Sequence, residues 1–141
     1  MAGLLAQFRQ WFGYDEPHDD PLLASVERLL RDPNTDYLLG AARDGAPSGV
    51  VQQRYRHSVW TGSDDAWLED LYVTDAARGT GLGRALTEFA IERARERGCG
   101  RIQLDVNFAN EAARALYESL GFSPWQDHPG GDALYMTRKL A

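Results

Sequence analysis

The stretch Arg78-Gly79-Thr80-Gly81-Leu82-Gly83 constrains this chain most, because of what flanks it. Before it, Trp67-Leu68-Glu69-Asp70-Leu71-Tyr72-Val73 predicts a strand. After it, Leu82, Leu86, Phe89, Ala90 and Arg93 recur at helical spacing up to the stop at Gly98. Glycines in such a turn take positive φ and let the main chain approach a ligand closely. The amides at the helix start, with its dipole, suit an anion such as a pyrophosphate. An Arg-or-Gln-x-x-Gly-x-Gly string is expected by chance about 0.2 times in a chain of this composition, so its placement gives it weight. No Gly-Lys-Ser/Thr follows, which excludes a Walker loop. The preceding strands read as antiparallel with no N-terminal βαβ unit, which argues against a dinucleotide-binding fold.

The rest of the chain fits around that unit. Leu4, Leu5, Phe8, Trp11 and Phe12 predict an opening helix, and Gly13 to Pro21 a polar loop containing His18. A second helix is expected from about Leu22 to Arg31, ended by Asp32-Pro33-Asn34. Strands are expected at Tyr37–Ala42 and Gly49–Tyr55 around Asp44-Gly45-Ala46-Pro47, and at Arg101–Val106. Asn110 caps a helix carrying Ala113, Leu116, Tyr117 and Leu120. Phe122 and Leu134–Thr137 read as closing strands around a turn containing His128. Residues 1–141 are thus expected to form one α/β (α+β) domain, with a mixed, mainly antiparallel sheet flanked by helices.

Composition narrows the function. No apolar run approaches the roughly 18 residues of a membrane span, and the start lacks the basic region of a signal peptide. With Cys99 the only cysteine, neither an internal disulfide nor a CxxC metal site can form, and a cytoplasmic protein without metal is expected. Residues 1–75 carry a net charge of −7 and residues 76–141 of +1. The acidic half repels phosphates, which argues against nucleic acid and favours a cation.

Strand Leu68–Val73, then Arg78-x-x-Gly81-x-Gly83, then Asn110 and Leu116-Tyr117-Glu118-Ser119-Leu120-Gly121-Phe122 together resemble the GNAT superfamily of acetyl-CoA-dependent N-acetyltransferases. Trp60-Thr61-Gly62 followed by Leu68–Val73 is most similar to its diamine (spermidine/spermine-type) group. The chain departs from the family in opening directly with a helix, without the usual first strand. The Tyr37–Ala42 strand should then be an unpaired edge, to be covered or paired by another chain, as in a homodimer.

The resemblance implies acetyl-CoA as co-substrate and a small-molecule amine as acceptor, acetylated by direct attack. The backbone of Leu71 and Val73 would pair with the pantetheine arm, and the amides of Arg78, Gly79, Thr80, Gly81, Gly83 and Arg84 would hold the pyrophosphate. Asn110 would serve the cofactor or cap its helix. Tyr117 would be the general acid for the departing thiolate, and Glu69 the acidic residue that meets the amine. Asp15, Glu16, Trp60 and Asp70 are the candidate acceptor-binding residues. A protein lysine or N-terminal acetyltransferase and a non-catalytic acyl-CoA-binding module are the alternatives. Arg54 and Arg56 share a strand face, solvated or facing a substrate carboxylate. His57 has no carboxylate partner recognisable in the sequence, and Cys99 reads as an incidental thiol.

Overall fold

The computed structural model describes residues 2–11, 15–125 and 129–140, apart from the side chains of Ala2, Phe8 and Trp11. The expectations for Phe8, Trp11, Phe12, Gly13, Tyr14 and His128 lie outside the described residues. The chain forms two compact units, residues 1–104 and 105–141.

The first unit runs α1 (Ala2–Trp11), α2 (Asp19–Leu30), β1 (Thr35–Ala41), β2 (Pro47–Ser58), β3 (Ser63–Val73), a 3-10 turn (Asp75–Ala77), α3 (Leu82–Glu96) and β4 (Arg101–Gln103). α2 starts earlier than the apolar spacing suggests. Asp19 and Asp20 occupy its first turn, where carboxylates complement the helix dipole. The sheet order is β1-β2-β3-β4. The first three strands are antiparallel, and β4 joins β3 in parallel. Among the described residues β1 is an edge of this sheet.

Alternation along β2 builds a core on each face. Val50 packs with Leu4, Leu5, Val26 and Tyr72 under α1 and α2. Val51 packs with Leu38, Leu68, Leu86 and Ala90 under α3. Gly40 and Gly49 face each other across β1 and β2. A Cβ on Gly40 would come within 2.7 Å of Leu82, and one on Gly49 within 2.7 Å of Leu86. This glycine pair lets the N-terminal half of α3 press onto the sheet, which fixes where α3 begins.

The second unit holds α4 (Glu111–Ser119). The Asn110 side chain caps it by accepting the Ala113 amide at 3.2 Å. Two sequence expectations need correction. The Arg101–Val106 strand stops at Gln103, and neither Phe122 nor Leu134–Thr137 forms a strand. Leu134, Tyr135 and Met136 are exposed, so their β-forming composition alone does not make a ladder.

Candidate functional site

β2 and β3 pair from Ser58↔Ser63 to Gln53↔Leu68, and again from Gln52↔Asp70 to Gly49↔Val73. Glu69 is left over, as the extra residue of a β-bulge. Without it, strict alternation would separate Leu68 from Leu71. With it, both pack toward α3, while Tyr72 packs under α1. Glu69 and Asp70 consequently come to the α1/α2 side of the sheet together.

A hydrogen-bonded row crosses the three antiparallel strands on that side. The Tyr37 hydroxyl donates to Gln52 Oε1 at 2.6 Å, and Gln52 Nε2 donates to Glu69 Oε2 at 2.5 Å. Burial pushes the Tyr37 hydroxyl up to about 12, helped by the negative charges of Asp70 and then Glu69. Tyr37 therefore stays a donor, Gln52 passes its polarity across the sheet, and the Glu69 carboxylate is held in place. Glu69 itself remains exposed and Asp70 half-buried, which leaves them accessible to a cation.

The other edge of β3 is open along the same stretch. β3 pairs with β4 only at Asp65–Trp67. From Leu68 to Val73 no strand flanks that edge among the described residues, so the main chain of Leu71 and Val73 can pair with an extended ligand. Their side chains pack toward α3.

The turn that follows is shaped by its own side chains. Arg78 Nε donates to the Val73 carbonyl at 3.2 Å and its guanidinium pairs with Asp75 at 3.1 Å. Thr80 Oγ1 donates to the Ala77 carbonyl at 2.5 Å. Gly79 and Gly81 have φ of 74° and 86°. Gly81 is the N-cap of α3 and, being a glycine, supplies no side-chain acceptor to the first-turn amides. A Cβ on Gly79 or Gly81 would meet nothing within 4 Å, so the space beside the amides is clear. Gly83 lies inside α3 and its carbonyl accepts the Thr87 hydroxyl at 2.7 Å. Arg84 pairs with Glu88 at 4.0 Å. Uncapped amides, open space and an unpaired strand edge fit a ligand with a polyphosphate and an extended amide arm, as in a coenzyme A thioester.

In the second unit, Tyr117 is buried on α4 and stacks edge-on against Phe122 at 5.8 Å between ring centroids. Burial, with a smaller contribution from Asp105, pushes its hydroxyl up to about 12. Asn110 has the capping role of its two expected roles.

Other candidates lie elsewhere. Trp60 is 88% exposed at the β2–β3 hairpin tip, separated from Glu69 by about 17 Å of strand. The structure thus removes it from the acceptor group. Asp15 and Glu16 are exposed ahead of α2. Arg9 of α1 donates to the Pro17 carbonyl in that loop and pairs with Asp19 at 2.9 Å. His57 does have a carboxylate partner: it pairs across the hairpin with Asp64 at 3.5 Å, on the surface. Burial raises the Cys99 thiol, which opposes nucleophilic use. The residues missed from sequence are Tyr37 and Gln52. Their apolar-and-amide alternation was visible, but the register that aligns them with Glu69 was not.

No described helix is long and apolar enough to cross a membrane, and no group of His, Cys, Asp or Glu among the described residues is placed to hold a metal. The model of the acetyltransferase (GNAT) family matches residues 4–122. The chain is 45% identical over 74 residues to a mycothiol acetyltransferase of Beutenbergia cavernae, which covers 50% of this chain and 25% of that one. It is 31% identical over 107 residues to an aminoglycoside N(6')-acetyltransferase type 1 of Stenotrophomonas maltophilia, covering 74% of this chain and 69% of the relative. The chain spans about a quarter to a third of the length of the mycothiol acetyltransferases it matches. Among solved structures, an Arthrobacter sp. FB24 protein described as an acetyltransferase superposes with a TM-score of 0.85 and 31% identity, over 99% of this chain and 87% of that one. These similarities support the superfamily rather than its diamine group specifically.

Proposed function

The chain belongs to the acetyltransferase (GNAT) family, and we propose that it transfers the acetyl group of acetyl-CoA to the nitrogen of a small primary amine by direct attack. We also take residues 1–141 as one functional domain, since the family match runs through both units. The observation that carries the reading is the bulge at Glu69. It sets two carboxylates on the α1/α2 side of β3, while the open edge of the same strand leads into the uncapped start of α3.

Acetyl-CoA supplies the activated thioester. The amides from Gly79 to Arg84 hold its phosphates, and the main chain of Leu71 and Val73 pairs with its pantetheine arm. Glu69 and Asp70 bind the acceptor as its ammonium, and Gln52 orients Glu69. Glu69 anchors the ammonium, and the neutral amine left when a proton is lost to bulk solvent attacks the thioester carbonyl. Tyr117 donates a hydrogen bond to the sulfur as the tetrahedral species collapses.

The test is release of coenzyme A thiol from acetyl-CoA with and without amines, for the parent and Glu69→Gln. The amide should raise the amine KM. An unchanged KM would reduce Glu69 to a strand residue. Acetyl-CoA binding with no amine-dependent thiol release would make the chain an acyl-CoA-binding module instead.

A further inference from the structure

On the α1/α2 side of the sheet, next to the Tyr37–Gln52–Glu69 row, lies a cavity of about 500 Å³ lined by Ser25, Arg28, Leu29, Arg31, Asp32 and Arg54. Its volume falls within the roughly 300–1,000 Å³ of small-molecule clefts. Three arginines line it against one carboxylate, in a half of the chain whose net charge is otherwise negative. The carboxylate is engaged by its own turn. Asp32 accepts the Asn34 amide at 2.9 Å and the Thr35 hydroxyl at 3.0 Å, and it forms one ion pair, with Arg54 at 3.6 Å. Among the described residues neither Arg28 nor Arg31 forms an ion pair, whereas Arg9, Arg78, Arg93, Arg95 and Arg101 each do.

Arg28 lies in the last turn of α2 and Arg31 is its C-cap. A helix dipole accounts for a basic residue at that end. It does not account for Arg54, which comes from β2 and lines the same cavity. Gln52 and Arg54 are successive residues on one face of β2, and a strand advances about 6.8 Å over such a step. The carboxylate pair and the arginine cavity are therefore neighbours on one surface, with opposite charge.

We infer that the acceptor carries an anionic group, a carboxylate or a phosphate, spaced by roughly one such strand step from the amine that is acetylated. Glu69 and Asp70 take the ammonium end, and Arg54 with Arg28 and Arg31 take the anionic end. This inference rests on the acetyltransferase reading above and narrows its acceptor from a plain cationic amine to a zwitterion. It also gives the arginine face of β2 a ligand to recognise.

Acceptors of equal length separate the possibilities: 6-aminohexanoate, 6-aminohexyl phosphate, hexylamine and 1,6-diaminohexane, each assayed by coenzyme A thiol release. The carboxylate or the phosphate should exceed hexylamine in kcat/KM on the order of tenfold, mainly through KM, and their ratio identifies the anion. Arg54→Gln and Arg28→Gln should each shrink that preference. Calorimetric titration of the favoured zwitterion into the protein saturated with coenzyme A should show correspondingly weaker binding in both variants. Equal or better turnover of hexylamine or the diamine overturns the inference and leaves the acetyltransferase reading standing, as does a preference that survives both substitutions. Thiol release with none of the four overturns both.

Discussion

Gly81→Ala separates the ligand-binding role of the α3 N-terminus from its role in the fold. Gly81 sits at φ 86° with no atom within 4 Å of a built Cβ. The substitution therefore meets no steric clash in the protein and costs only the left-handed backbone, about 1–2 kcal/mol. For a chain of this size that lowers Tm by roughly 3–10 °C. Gly98, at the other end of α3, has φ 74° and equally clear surroundings, so Gly98→Ala carries a matched strain. Only at Gly81 does the added methyl intrude on the path to the amides of Leu82, Gly83 and Arg84. Loss of one charge-assisted hydrogen bond is worth about 1.5–3 kcal/mol, or roughly 10- to 150-fold in Kd. Isothermal titration with acetyl-CoA, run beside thermal melts, reads both effects. The expected result is similar Tm losses and a weakened Kd in Gly81→Ala alone. If both variants bind acetyl-CoA like the parent, the anion site is not at the start of α3, and the thioester must be held elsewhere.

Other outcomes follow from the site. Gln52→Leu removes the group between Tyr37 and Glu69; steady-state assays should show a higher amine KM with little change in acetyl-CoA affinity, and a stability loss of about 1–3 kcal/mol from the stranded hydroxyl. Tyr117→Phe should fold and bind acetyl-CoA normally, because no hydrogen bond of its hydroxyl is present among the described residues, while single-turnover acetyl transfer falls on the order of 10²-fold. A parental single-turnover rate would show that Tyr117 does not serve the leaving thiolate. Tyr37, Tyr55 and Tyr117 are each pushed up to about 12 by burial. A folded pKa above the unfolded value near 10 favours the fold at lower pH, so stability should be intact below about pH 10 and decline as pH climbs through about 12. Alkaline melts of the parent against Tyr55→Phe check the sign.

Much of this was legible in local sequence because local chemistry decides it. The positive-φ glycines, the amphipathic α3, the Asn110 cap and the antiparallel meander each depend on residues a few positions apart. What escaped the sequence depends on register. A partner for His57 exists only because Ser58↔Ser63 places Asp64 opposite it. Trp60 lies next to the acceptor strand in sequence but at the tip of its hairpin in space. The closing strands failed for a related reason: Leu134–Thr137 has the composition of a strand, but pairing must be supplied from elsewhere, and composition cannot specify a partner.

The bulge shows why the candidate site could be suspected before its geometry was known. A strand buried on one face by α3 and on the other by α1 must alternate strictly, which would put Glu69 and Asp70 on opposite faces. Under strict alternation one carboxylate would be driven into the apolar cluster of Leu68, Leu86 and Ala90, where an unpaired charge is costly. One extra residue resolves that conflict, since it restores Leu71 to the α3 side and turns both carboxylates toward Gln52. It also breaks the regular pleat of β3 beyond the short ladder with β4, in the stretch whose main-chain edge stays open. The consecutive acidic pair between Leu68 and Leu71 is thus the visible mark of the bulge. In the proposed function, acceptor binding and thioester binding are then two consequences of one inserted residue. Deleting Glu69 should therefore abolish acetyl-CoA binding as well as amine binding, whereas Glu69→Gln should spare the former. If calorimetry finds acetyl-CoA bound normally by the deletion variant, the open edge does not depend on the bulge, and the two halves of the site arise separately.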